Sequence, residues 1–291
     1  MMLSRVWIDG ARPRTLVAAI VPVLLGVAVA PGSVAVADIL VRGGLAAIVS
    51  LSLQVAVNYA NDYSDGIRGT DTDRVGPRRL VASGDATPAA VRRAAFLASA
   101  VAMAAGTGLA ALTTWWLVAV GAACMAAAWG YTGGPVPYGY RGWGELFVFT
   151  FFGLVATVGT TFAVAETISA RSFVVGSVAG LLAVALLIVN NLRDRENDQA
   201  AGKRTLAVRM GDRATRLMYV ACYVITLLII VSLSLSRPIV FASLIGLLPA
   251  VRASQRVLAG ASGRSLIAVL GLTARAQLLI GVILSGAVWT W

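Results

Sequence analysis

From residue 172 to 189 the chain reads "SFVVGSVAGLLAVALLIV", an uncharged stretch long enough to cross the hydrocarbon core of a bilayer. Similar apolar runs recur at 15–30, 40–60, 94–112, 114–131, 146–165, 172–190, 217–235, 238–255 and 267–288. With 58% hydrophobic and only 13% charged residues, the chain has too little polar surface to clothe a soluble domain of its size. Inside lipid every backbone N–H and C=O must find an internal partner, and the helix satisfies them within one segment. The expected fold is therefore an all-α integral membrane bundle of about nine transmembrane helices, one domain over residues 1–291. Pro22 and Pro31 interrupt the N-terminal run and no small-residue cleavage site stands out, so the first helix is expected to be retained rather than removed as a signal peptide.

There are 24 Lys and Arg residues against 13 Asp and Glu, a net charge of +11. With the N-terminus on side one, the connections on that side hold twenty of the basic residues. The other side holds three, Arg42, Arg171 and Arg237, and Arg275 falls inside the last run. By the positive-inside rule side one is cytoplasmic. The basic excess is thus a matter of topology, and nucleic-acid binding is not expected. The chain has no histidine, which excludes His-based catalysis and His-ligated metal sites. Cys124 and Cys222 stand alone in apolar runs and read as packed thiols.

Eleven of the thirteen acids also fall on side one, and seven of them gather in two stretches: "NDYSDGIRGTDTD" at 61–73 and "NNLRDRENDQAAGKRT" at 190–205. Residues four apart share a helix face, so Asn61 aligns with Asp65, Asn58 with Asp62, and Asn190, Asp194 and Asp198 form one stripe. Gly66 and Gly69 leave the backbone free to carry Asp71 and Asp73 back over the helix end. Two such rows of oxygen donors on neighbouring helices suit a hard cation such as Mg²⁺, with positions left for phosphate oxygens. The metal candidates are Asn61, Asp62, Asp65, Asp71, Asp194 and Asp198. Helix capping would account for one acidic cluster, but two matched clusters at equivalent span ends favour a metal between them. Basic residues follow each row: Arg68, Arg74, Arg78 and Arg79 after the first, and Lys203, the only lysine, with Arg204 after the second. Acids for the metal plus cations for uncovered phosphate oxygens is how proteins hold a diphosphate. Asp65, Asp194 and Lys203 are the candidate catalytic groups, and Asn61 and Asn190 join them as substrate contacts. The two stretches also suggest a weak parallel repeat of a four-helix unit.

A third connection on the same side reads "YTGGPVPYGYRGWGE", residues 131–145. Tyr138, Arg141, Trp143 and Glu145 are its candidate substrate contacts, since aromatic faces can line an apolar chain or stabilise a cation. Trp115, Trp116, Trp289 and Trp291, toward the opposite side, read as interfacial anchors.

These three stretches resemble the membrane-embedded aromatic prenyltransferases of the UbiA type. That family carries Asn-Asp-x-x-Asp after its second helix and Asp-x-x-x-Asp after its sixth. Here the motifs are Asn61-Asp62-Tyr63-Ser64-Asp65 and Asp194-Arg195-Glu196-Asn197-Asp198. The stretches are most similar to the branch that prenylates 1,4-dihydroxy-2-naphthoate in menaquinone biosynthesis. The resemblance implies a polyprenyl diphosphate donor whose diphosphate bridges two Mg²⁺ ions. Asn61, Asp65 and Asp71 would hold them on one side and Asp194 and Asp198 on the other, with Arg78, Arg79, Lys203 and Arg204 neutralising the remaining charge. It also implies active-site loops after helices 2, 4 and 6 on the cytoplasmic side of the plasma membrane, with Tyr138 and Trp143 against the ring or the allylic cation. Two departures stand out. The family often has its next Asp four residues after Asp65, where this chain has Gly69, leaving Asp71 or Asp73 as third ligand; and Glu145 stands where Asp is expected.

The alternative within this family is another acceptor, such as 4-hydroxybenzoate, homogentisate or haem. Outside it stand a CDP-alcohol phosphotransferase, which Asp62 to Gly66 fits but whose second acidic stretch would follow closely, and a Mg²⁺-coupled transporter. A transporter usually places its carboxylates mid-membrane, whereas these lie at helix ends.

Overall fold

The computed structural model describes residues 2–70, 76 and 79–289. Among the described residues every regular element is helical. The order is α1 (Met2–Ala11), a 3₁₀ turn, α2 (Val17–Ala28), α3 (Val36–Ile67), α4 (Pro88–Leu112) and α5 (Trp116–Gly130). After a second 3₁₀ turn, Tyr138–Arg141, come α6 (Gly144–Val148), a π-helical segment Phe149–Val155 and α7 (Ala156–Ala165), which together form one apolar rod. Then follow α8 (Ala170–Ala200), α9 (Leu206–Ser236), the 3₁₀ stretch Pro238–Gly246, α10 (Leu247–Leu258) and α11 (Ser265–Val288).

Among the described residues seven helices are long and apolar enough to cross a membrane. An eighth candidate is the pair Arg5–Thr15 and Val17–Ala28, bent by 51°, while α5, at 15 residues, is apolar but shorter. Each of the nine predicted runs overlaps one of these helices.

The boundaries differ where function was expected. The apolar runs end near residues 60 and 190, but α3 and α8 continue to Ile67 and Ala200, so the polar motifs occupy their last turns. Hydropathy falls at the polar residues, whereas a helix stops only where its backbone is broken. The breakers are glycines in the left-handed region, Gly69 (φ 70°) and Gly202 (φ 76°). Both ends close with the same bond, from the amide five residues on to the motif carbonyl: Thr70 N–H to Asp65 O (3.1 Å) and Lys203 N–H to Asp198 O (2.8 Å). The two motif helices therefore share one way of ending.

α8 is the central helix, with most of its apolar stretch buried. Leu182 and Ile188 on it pack in one cluster with Leu25, Tyr219, Ile230, Leu266 and Ile280, from α2, α9 and α11. The rod of α6 and α7 crosses α8 at Gly153 and Gly180, where a Cβ added at Gly153 would lie 2.5 Å from the Gly180 Cα. At the end of the bundle away from the motifs, Arg42 on α3 bridges Asp38 (3.3 Å) and Glu166 (2.6 Å), the two acids assigned to side two. Trp115, Trp116 and Trp289 are exposed, as anchors would be, and Trp291 lies outside the described residues. Arg275 is exposed on α11 rather than buried against an acid or a helix end.

Candidate active site

The ends of α3 and α8 meet the connections 131–143 and 201–205 at the mouth of a cavity of about 1240 Å³. Asn61, Asp65, Asn190, Asp194, Asp198, Lys203 and Arg79 all line it, although α3 and α8 are far apart in sequence. Deeper in, Tyr131, Tyr138, Phe147, Phe151 and Phe152 give way to aliphatic walls from α3, α4 and α5. Two of these rings come from the π-helical segment, whose wider turn lies where the rod crosses α8.

Asp65 is the hub of the mouth. It is 3% exposed, and its Oδ1 accepts from the Tyr140 hydroxyl (2.6 Å) and lies 3.0 Å from Lys203 Nζ. Arg79 Nη2 approaches its Oδ2 at 3.6 Å. The Lys203 ammonium also faces Asp198 Oδ1 at 3.8 Å and stands over the Tyr140 ring, 4.7 Å from its centroid. Burial alone would lower the Lys203 pKa, but Asp65, Tyr140 and Asp198 together outweigh it and hold the group above its ordinary value. Tyr140 is pushed up as well, first by burial and then by Asp65, so its hydroxyl stays protonated and donating. On the α8 side Arg193 forms a two-pronged pair with Asp194, Nε to Oδ1 and Nη2 to Oδ2, both 2.8 Å. Asn61 Oδ1 accepts from the Thr132 hydroxyl at 2.7 Å.

Among the described residues no three Asp, Glu or Cys side chains form a ready ion cluster. The donor set still suits a hard divalent cation, because the carboxylates of Asp65, Asp194 and Asp198 line one cavity together with Asn61, whose amide oxygen is a further hard donor. The cations now beside Asp65, Asp194 and Asp198 are the groups that a metal would displace.

The UbiA prenyltransferase family profile matches residues 19–270, most of the chain. The chain belongs to the UbiA prenyltransferase family. It is 46% identical over 281 residues to the 1,4-dihydroxy-2-naphthoate octaprenyltransferase of Mycobacterium tuberculosis, covering 97% of this chain and 96% of that one. Its fold is similar to a UbiA homolog from Aeropyrum pernix K1 (TM-score 0.68, 17% identity, 93% and 96% of the two chains covered). It is also similar to a UbiA homolog from Archaeoglobus fulgidus bound to DMAPP and Mg²⁺ (TM-score 0.61, 12% identity, 96% and 99% covered).

Within this UbiA-family fold several residues expected at the site stand elsewhere. Asp62 is fully buried and turned away from the cavity; its oxygens accept from the backbone N–H groups of Leu80 (2.9 Å) and Val81 (3.0 Å). Although it stands only three residues before Asp65, its side chain is held by these two amides, and it anchors the segment that follows α3. Arg68 does not line the cavity either. It donates to the carbonyls of Thr132 and Gly134 (2.6 Å to the latter) and lies 5.3 Å from the Tyr140 ring centroid, strapping the 131–143 connection to the end of α3. Glu145 is buried behind the cavity wall, accepting from Asn191 Nδ2 (2.9 Å), so Asn191, not Glu145, reaches the cavity. Arg141, Trp143 and Arg204 line a separate outer depression. Tyr138 does line the cavity, with its hydroxyl spent on the Ala127 carbonyl (2.8 Å), so it offers only its ring. Asp71, Asp73, Arg74 and Arg78 lie outside the described residues.

Other residues reach the cavity without having been singled out as site residues. Arg193 was visible only as a neighbour of the α8 stripe, and Tyr140 only as one of three tyrosines. A polar box on the cavity wall, in which Gln54 donates to Asn58 Oδ1 (3.1 Å) and Asn58 to Thr15 Oγ1 (3.1 Å), had one signal in the sequence. Asn58 and Gln54 stand four apart inside an otherwise apolar run.

Proposed function

We propose that this chain transfers a polyprenyl group from polyprenyl diphosphate to 1,4-dihydroxy-2-naphthoate, releasing diphosphate and CO₂ and giving demethylmenaquinol. The observation that carries the reading is the convergence of the α3 and α8 acids and Lys203 at the polar mouth of a long apolar cavity. The acceptor follows from the near-full-length similarity to the Mycobacterium tuberculosis octaprenyltransferase. The charge asymmetry along the sequence supports a mouth facing the cytoplasm in a multi-pass plasma-membrane protein.

Asn61, Asp65, Asp194 and Asp198 would hold Mg²⁺. Bound there, Mg²⁺ supplies the charge that stabilises diphosphate as a leaving group. Lys203, Arg79 and Arg193, which now face the carboxylates, would turn to the diphosphate oxygens. The isoprenoid lies along the aliphatic walls, with the rings of Tyr138, Phe147 and Phe151 beside the allylic end to exclude water and face its developing positive charge. A ring carbon of the electron-rich acceptor forms the new C–C bond, and the ring loses its carboxylate as CO₂.

Purified protein given dihydroxynaphthoate, a polyprenyl diphosphate and Mg²⁺ should release CO₂ and a prenylated naphthoquinol, and chelation should stop it. Product from 4-hydroxybenzoate or homogentisate, with none from dihydroxynaphthoate, would refute the acceptor assignment.

A further inference from the structure

Arg141, Trp143 and Arg204 belong to no step of the prenyl transfer, yet they stand together. With Arg209 they line an outer depression of about 530 Å³ between the 131–143 and 201–205 connections. The Arg204 amide donates to the Tyr140 carbonyl (2.9 Å) and Arg209 Nε to the Arg204 carbonyl (3.3 Å), so the two connections are stitched into one rim. Gly142 (φ 79°) lets Arg209 lie across the loop, since a Cβ there would meet Arg209 Cδ at 3.0 Å.

Among the described residues no acidic side chain lines this depression and no ion pair joins Arg141, Arg204 or Arg209 to a carboxylate. The arginines inside the site differ: Arg79 and Arg193 each face an acid. Three guanidiniums around a concave surface without a counter-charge make a site for an anion with several oxygens, which their planar forks grip better than ammonium groups would.

The apolar surroundings identify the anion. Trp143 is 54% exposed, Leu146 on the first turn of α6 is 53% exposed, and Met210, next to Arg209 on α9, is 41% exposed. The cationic rim thus stands where two membrane-spanning rods begin, with apolar side chains turned outward beside it. We propose that the depression holds the headgroup of one anionic phospholipid, its phosphate among Arg141, Arg204 and Arg209 and its acyl chains beside Trp143, Leu146 and Met210. Tyr140 walls both this depression and the reaction cavity, so a bound headgroup buttresses the residue that donates to Asp65. The inference uses no metal or diphosphate contact and does not depend on the acceptor.

The test is lipid retention, counted by native mass spectrometry on full-length protein exchanged from bilayers of phosphatidylcholine with or without phosphatidylglycerol. The wild type should keep one phosphatidylglycerol per chain, in preference to phosphatidylcholine, through dilution into detergent. The double variant Arg141→Gln/Arg204→Gln, altered only at exposed side chains, should lose it. Equal retention of the two lipids by the wild type would overturn the proposal without reference to any variant. Undiminished phosphatidylglycerol on the double variant would also overturn it. Displacement of the lipid by inorganic phosphate alone would mark a site for free anions and overturn it too.

Discussion

Lys203 Nζ lies 3.0 Å from Asp65 Oδ1, joining the connection after α8 to the last turns of α3 by a buried ion pair. The pair lies on the wall of the cavity and brings the two motif helices into one electrostatic unit. Breaking a buried pair from one side costs about 3–5 kcal/mol where the remaining charge has no other partner, and Arg79, 3.6 Å from the second Asp65 oxygen, offsets part of that here. Lys203→Met should therefore lower thermal stability markedly and reduce prenyl transfer by roughly 10²-fold or more, as loss of a charge-stabilising donor does. Adding Asp65→Asn should restore part of the stability and none of the activity, a contrast read by thermal unfolding beside a turnover assay.

The same pair has a pH signature. The folded-state pKa of Lys203 is raised above the ordinary 10.5, so the folded chain binds this proton more tightly than the unfolded one. Its stabilisation is complete below pH 10.5 and declines as pH rises from there through the folded value. Denaturation followed between neutral and strongly alkaline pH should show this alkaline loss in the wild type and a smaller one in Lys203→Gln.

Asp62 and Asp65 should separate folding from chemistry. Asp62→Ala removes the acceptor for two backbone amides, and each buried amide left unpaired costs about 1–3 kcal/mol. The expected result is poor folding, with the remaining folded fraction still turning over. Asp65→Asn and Asp194→Asn each lose a buried ion pair and with it some stability, but keep an oxygen acceptor; they should still insert and fold, and the folded molecules should be inactive. Yield of monodisperse protein against turnover per folded molecule distinguishes the two classes.

Arg68 grips two carbonyls of the 131–143 connection from the end of α3. Arg68→Ala should loosen the loop that carries Tyr138 and Tyr140, seen as faster proteolysis there and a higher KM for the donor. Arg68→Lys should rescue little, because one ammonium cannot span both carbonyls as a planar fork does.

Gly153→Ala places a Cβ 2.5 Å from the Gly180 Cα, backbone against backbone, with nothing flexible to yield. The rods must separate, at a cost of about 1–3 kcal/mol for overpacking. Gly159→Ala, with open space around it, is the control and should leave the unfolding temperature unchanged.

Much of this was legible in the residues themselves. Membrane helices announce themselves through unbroken apolar length, and helical spacing of four set Asn61 with Asp65 and Asp194 with Asp198 on common faces. Lys203 stood out as the chain's single lysine, directly after a glycine and five residues from Asp198. Each signal is local, carried by one segment and its periodicity. The failures were of another kind. Asp62, Arg68 and Glu145 have the chemistry of site residues, and Arg141, Trp143 and Arg204 lie on the expected connections. Only packing decides whether a charged side chain meets a cavity, a backbone amide or the outer surface.

The sequence by itself determined the helical membrane class, the two acidic rows and the end of the molecule where they gather, because hydropathy, spacing and charge sign are properties of a segment alone. Tertiary structure decided that Asp65 pairs with Lys203 and Tyr140 while Asp62 turns to Leu80 and Val81. It also decided that Arg193 enters the mouth while Arg204 stays outside. Those choices depend on which helix faces meet and on how the connections between them fold back, and such contacts join residues that no local pattern relates.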